Sequence, residues 1–274
     1  MEPARRVVEG PYALGGGSAS TGNELMKTFL LSLGFLTRFP VTCLAEGPER
    51  LGRATAFFPI VGGLIGLLLA GVNVCAALLW QNEAVANALV IVALTLVTGG
   101  LHLDGLMDIC DGVFGGHNRE RALEIMKDSR VGAFGVLGAV CLLLLKFSFL
   151  FAVPAEIKWR ALVFMPVAGR WAFVYAIAAF PYARPEGTGK AFKEQVGRRQ
   201  LFWASVLAVA IGASLFRLWL PLLALFILAA AHLLGRYLTG KLGGLTGDAY
   251  GAIGEVVELL ALAAIPLLAR IPLV

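Results

Sequence analysis

The feature that most constrains this chain of 274 residues is its repeated runs of about twenty apolar residues. A helix needs about 20 such residues to cross the hydrocarbon of a bilayer. Backbone polar groups in lipid can be satisfied only within helices or closed barrels. Runs of this kind cover 54–80, 84–108, 131–153, 160–181, 200–216, 218–236 and 250–271. An eighth and weaker stretch, 25–40, is short enough to be re-entrant, and 200–216 is also short. The expected fold is therefore all-α: a polytopic membrane helix bundle with about six to eight transmembrane helices. No strand-like alternation and no repeat divides it, so residues 25–274 are expected to form a single membrane-embedded catalytic domain. Residues 1–24 contain Gly15-Gly16-Gly17 and no apolar core, which reads as a flexible cap rather than a signal peptide.

Composition supports the bilayer as solvent. The chain is 58% hydrophobic and 15% charged, where a soluble domain carries about a quarter charged residues. Its net charge of +5 is unevenly spread. The segments 37–53, 112–130, 182–199 and 236–249 together hold 14 Lys and Arg, against 4 in the intervening turns and the C-terminal end. Basic residues gather on the cytoplasmic side of membrane proteins, which assigns the first group to that side. No basic stripe with interleaved aromatics occurs, so nucleic acid is not an expected partner. Cys43, Cys75, Cys110 and Cys141 are scattered without a C-x-x-C pair and read as free thiols.

The segment Gly99-Gly100-Leu101-His102-Leu103-Asp104-Gly105-Leu106-Met107-Asp108-Ile109-Cys110-Asp111-Gly112 carries the chemistry. Asp104, Asp108 and Asp111 stand at i, i+4 and i+7, so a helix stacks them on one face. Three like charges at a membrane boundary cost free energy unless cations offset them. Oxygen-only ligands suit Mg²⁺, which takes one or two carboxylates and fills its shell with water and substrate phosphates. His102 lies on the opposite face; it can protonate a leaving group or serve as a hydrogen-bonded structural residue. Glu124 and Asp128 with Lys127 and Arg130 form either a second ligand with two phosphate-binding cations or an amphipathic cytoplasmic helix with internal ion pairs. Gly243-Gly244-Leu245-Thr246-Gly247-Asp248 leads into an apolar helix, where it can cradle phosphate or place Asp248 as a helix cap. Gly247, Gly251 and Gly254 recur as a small-residue seam suited to close packing. Glu255 and Glu258 within a span should face the interior, with Lys146 and Arg170 as natural partners.

These segments resemble the cobalamin synthase family, the adenosylcobinamide-GDP ribazoletransferases. The resemblance rests on Leu101-His102-Leu103-Asp104-Gly105 with Asp108 and Asp111-Gly112, and on Glu124-Ile125-Met126-Lys127-Asp128-Ser129-Arg130 followed by Gly132 and Phe134-Gly135. Phe35-Leu36-Thr37-Arg38-Phe39-Pro40, Phe57-Phe58-Pro59-Ile60-Val61-Gly62, Gly169-Arg170-Trp171, Phe180-Pro181-Tyr182-Ala183-Arg184 and Gly244-Leu245-Thr246-Gly247-Asp248 extend it, in order, over about residues 27–265. Met107, Ile109 and Cys110 depart from the smaller residues expected between the aspartates, and they point off the carboxylate face.

The resemblance implies an enzyme of the bacterial inner membrane with its active face in the cytoplasm. It would join adenosylcobinamide-GDP to α-ribazole or α-ribazole 5′-phosphate, releasing GMP, with Mg²⁺ as cofactor. It further implies that Asp104, Asp108 and Asp111 bind the metal, and that Asp128 and Asp248 complete the site or orient the attacking hydroxyl. Lys127 and Arg130 would neutralise the diphosphate, and His102 would act as acid or base. Expected partners are the two substrates and the lipid bilayer, with a homo-oligomer left open. The rival expectations are a CDP-alcohol phosphotransferase or membrane prenyltransferase, and an ion-coupled transporter.

Overall fold

The computed structural model describes residues 21–41 and 48–270. The expected flexible cap therefore falls outside the described residues except for its end, where Thr21–Leu36 forms helix α1. With 16 residues α1 is about 24 Å long, too short to cross. It packs on α2 (Pro48–Ala54) and on α3 (Phe58–Trp80).

The expected span 84–108 is not continuous. It divides into α4 (Glu83–Thr98) and α5 (Leu101–Gly115), bent by 91°. The cause is the pair Gly99 and Gly100, with φ of 64° and 70°. Two successive left-handed residues close α4 through N–H bonds to Leu96 and Thr95, and a side chain at either position would be strained.

Helices α6 (Arg119–Ile125), α7 (Ala133–Ala152) and α8 (Ala155–Ala179) follow. α8 is the centre of the bundle: 83% of its apolar window is buried, against 28% for α7. A helix apolar all round belongs in a core, and α8 packs on α3, on α10 (Arg198–Phe216), on α11 (Leu220–Leu242) and on α12 (Gly247–Leu268). The short α9 (Thr188–Gln195) lies against α2.

Among the described residues five helical stretches are long and apolar enough to cross a membrane, and the bent α4–α5 pair makes a sixth if it counts as one span. One of the five, Arg198–Leu242, folds back at Arg217, where φ is 43°. Gly212 consequently lies against the side chain of Leu220, which a continuous helix would hold about 12 Å away. Leu78, Leu79, Leu96, Leu137, Leu144, Leu225 and Leu233 are exposed. Such an apolar exterior fits lipid rather than water.

The two groups of connecting segments separate to opposite ends. At one end Tyr182 bridges Leu245, and Arg119 Nη2 donates to the Ala183 carbonyl at 3.4 Å. At the other, Lys158 pairs with Glu83 at 2.6 Å and Arg160 donates to the Leu215 carbonyl. The basic segments thus gather at the end that carries the aspartates.

Candidate active site

Helix α5 lies on α7 and α12. Its approach to α12 is set by Gly105: a Cβ there would come within 2.8 Å of the Asp248 carbonyl oxygen. Asp248 stands in the first turn of α12, but the cap of that helix is Thr246, whose Oγ1 accepts from the Ala249 N–H at 3.2 Å. The carboxylate of Asp248 is thereby released from capping. It pairs instead with Arg184, 3.2 Å away, and accepts a 3.3 Å bond from Thr246 Oγ1.

The aspartates on α5 sink progressively: Asp104 is exposed, Asp108 half-buried and Asp111 buried. Asp108 lies within electrostatic reach of Asp248, Asp104, Arg184 and Asp111, and Asp248 within reach of Asp104 and Arg184. Asp104, Asp108 and Asp248 therefore form one group, with Arg184 as its cation. Asp111 does different work. Its oxygens accept from the Gly132 and Gly135 N–H groups, both at 2.8 Å, and so bind the N-terminus of α7.

The remaining expected site residues lie apart. Asp128 is held by Arg130 through a two-pronged side-chain contact as close as 2.6 Å and by the Arg130 backbone N–H. Those hydrogen bonds bring its carboxyl down to about 2. Asp128 is not among the charges that bear on Asp108 or Asp248. Arg130 and Lys127 are exposed on the same connecting loop. His102 is 4% exposed. Its ring packs against Phe173 at 5.3 Å, its Nε2 has no partner, and Gly251 covers its backbone.

Beneath the carboxylates is a second polar layer inside the bundle. Lys146 Nζ donates to Glu255 and Glu258, each at 2.6 Å, and Arg170 Nη1 donates to Glu258. Lys146 and Arg170 are each 1% exposed and Glu258 is fully buried. Two cations balance two anions, as burial demands. The glycine seam of α12 serves this packing, since a Cβ at Gly254 would sit 3.2 Å from the Gly169 carbonyl oxygen.

Arg184 is the site residue to which the sequence assigned no role. Its partner lies 64 positions on, and no local spacing connects them. The one available signal is the motif Phe180–Arg184 itself, an Arg placed after an extended Pro-Tyr pair.

Among the described residues no three acidic, His or Cys side chains are grouped closely enough to hold a metal ion by themselves. The carboxylate group offers oxygen donors only, the donor type that Mg²⁺ takes, and one of its carboxylates, Asp248, already pairs with Arg184. That ion needs one or two carboxylates and completes its shell with water and phosphate.

The sequence profile of the cobalamin-5-phosphate synthase family matches residues 28–266. The chain is 42% identical over 236 residues to an adenosylcobinamide-GDP ribazoletransferase of Desulforamulus reducens, covering 85% of this chain and 94% of that one. It is 42% identical to one from a Roseiflexus species, over 86% of this chain and 88% of the other. It is 41% identical to one from Geotalea daltonii, over 87% and 96%. No solved structure matches. With a polytopic all-α bundle, aspartates from distant segments meeting at its basic end and a match along nearly the whole chain, the protein belongs to the cobalamin-5-phosphate synthase family.

Proposed function

We propose that this protein joins adenosylcobinamide-GDP to α-ribazole or α-ribazole 5′-phosphate at the cytoplasmic face of the bacterial inner membrane, in a Mg²⁺-dependent reaction. The product is adenosylcobalamin or its 5′-phosphate. The observation that carries this reading is the close approach of α5 to α12 at Gly105 and Asp248, which brings the helix bearing Asp104 and Asp108 against the Asp248–Arg184 pair. The names and identities of the relatives supply the substrates.

In the reaction a ribazole hydroxyl attacks the phosphorus on the corrinoid side of the diphosphate. A new P–O bond forms, the P–O bond to GMP breaks, and GMP leaves with the electron pair. Asp104, Asp108 and Asp248 would hold Mg²⁺, which when bound neutralises charge on the diphosphate. Arg184 keeps Asp248 oriented and adds positive charge beside the leaving phosphate. The hydroxyl proton is lost to water at the open end of the group, where Asp104 is exposed. Asp111 acts indirectly, by locking the N-terminus of α7 to α5. His102 is a structural residue in this scheme, because its buried ring faces Phe173 and the charge layer rather than the open carboxylates.

The test is direct. Purified protein in detergent is incubated with adenosylcobinamide-GDP, α-ribazole and Mg²⁺, and GMP release is followed by chromatography. Stoichiometric GMP and cobalamin are expected, and both should stop when EDTA is added. Absence of GMP with an intact, monodisperse protein would remove the proposal. The family match already weighs against a CDP-alcohol phosphotransferase and against a transporter.

A further inference from the structure

Beside the carboxylate group, between α1 and the Gly99–Gly100 break, lies a cavity of about 600 Å³. Its lining includes Phe35, Arg38, Thr98, Leu103, Asp104 and Met107. We propose that this chamber is a nucleotide subsite, taking a heteroaromatic base against its apolar wall and a phosphate at Arg38. The inference rests on the proposed function and deepens it, since both substrates of that reaction contain a nucleotide or nucleoside.

The chamber has the size of small-molecule sites, which run from about 300 to 1,000 Å³. Its apolar wall is pre-formed. Phe35 is stacked on Phe58 at 5.8 Å and meets Phe192 edge-on at 4.9 Å, so its ring is fixed before any ligand arrives. Leu103 and Met107 come from α5. A flat ring of a purine or benzimidazole matches such a wall, because aromatic pairs favour offset or edge contacts.

The polar rim is equally specific. Arg38 is anchored by its backbone N–H, which donates to the Val97 carbonyl at 2.8 Å, and its side chain lies over Gly99. Among the described residues no carboxylate pairs with the guanidinium, although Asp104 lines the same chamber. A positioned Arg without an anion is suited to bind phosphate through two parallel hydrogen bonds. Asp104 also belongs to the carboxylate group, so the chamber opens onto the place where the diphosphate reacts. A nucleotide held there has its sugar and phosphate directed at the chemistry, with the base packed away from it.

Two sources supply this ligand: the guanosine half of the activated corrinoid, or α-ribazole 5′-phosphate. The experiment measures KM and kcat for both substrates, and equilibrium binding of GMP and of α-ribazole 5′-phosphate by calorimetry. It uses full-length wild type, Arg38→Gln, Arg38→Lys and Phe35→Leu. Removing the charge-assisted contact should raise one KM by roughly tenfold or more while kcat changes by less than about threefold. Arg38→Lys should recover part of the loss. A rise confined to adenosylcobinamide-GDP, with weaker GMP binding, supports the inference and assigns the chamber to guanosine. A rise for α-ribazole 5′-phosphate but not for α-ribazole supports it and assigns the chamber to the acceptor.

Unchanged KM and binding in all three variants overturn the inference while leaving the proposed function standing. Arg38-dependent binding in a protein that releases no GMP would instead sink the proposed function and keep the subsite.

Discussion

Gly105 on α5 and Asp248 on α12 touch so closely that a Cβ at Gly105 would lie 2.8 Å from the Asp248 carbonyl oxygen and 3.0 Å from its Cα. These atoms are backbone and cannot swing aside. The contact therefore fixes how near Asp104 and Asp108 come to Asp248, and with it the geometry of the whole carboxylate group.

Gly105→Ala forces α5 away from α12. Overpacking of this kind costs about 1–3 kcal/mol, and displacement of catalytic groups by an ångström can cost about a hundredfold in rate. The variant should still insert and elute as wild type, with a lowered unfolding midpoint and kcat reduced by at least about tenfold. Wild-type kcat would show that the contact does not set the site.

Lys146 is the shared cation of Glu255 and Glu258, with both contacts at 2.6 Å in the bundle interior. Lys146→Met leaves two carboxylates to Arg170 alone, and breaking a buried pair this way costs about 3–5 kcal/mol. The thermal midpoint in detergent should fall sharply. Adding Glu255→Gln restores the charge balance and should recover part of the loss. No recovery in the double variant would contradict the assignment.

Asp111 accepts from two backbone N–H groups, Gly132 and Gly135. Asp111→Asn offers one acceptor oxygen and turns an amide NH₂ toward the other donor. Leaving that donor unsatisfied costs about 1–3 kcal/mol. Hydrogen exchange should show faster opening at the start of α7, while the Mg²⁺ concentration for half-maximal GMP release should stay near wild type. A large rise in that requirement would place Asp111 on the metal instead.

Asp128 is tied to Arg130, and those hydrogen bonds keep its carboxyl near 2, below the ordinary range. The sign follows: the pair is fully present above the usual carboxylate pKa and is lost only as pH falls toward 2. Activity between pH 5 and 9 should therefore carry no inflection from Asp128. Asp128→Asn should leave the Mg²⁺ requirement unchanged, measured by metal titration of GMP release. A shift would return Asp128 to the metal group.

Much of this architecture can be read directly from the chain. Apolar run lengths locate the spans, and the basic segments mark one end, because lipid allows few other arrangements. The i, i+4, i+7 spacing places Asp104, Asp108 and Asp111 on one helix. The pairing of Lys146 with Glu255 and Glu258 follows from the cost of an unpaired charge in the interior. What escapes depends on long-range geometry. The Gly99-Gly100 pair is a local turn signal, but the apolar residues on both sides mask it, so the 91° turn reads as one continuous span. Nothing near Asp111 foretells that its acceptors are used at Gly132 and Gly135, and Arg184 is joined to Asp248 only by the tertiary fold. By sequence alone Asp248 is equally compatible with a cap, a place that Thr246 fills.

The most direct measurement is a Mg²⁺ titration of GMP release for wild type, Asp104→Asn and Asp248→Asn, with folding verified by unfolding midpoint. If α5 and α12 share one ion, both substitutions should abolish release or move the half-maximal Mg²⁺ concentration upward by roughly tenfold or more. A wild-type Mg²⁺ profile in Asp248→Asn would contradict a site built across the two helices.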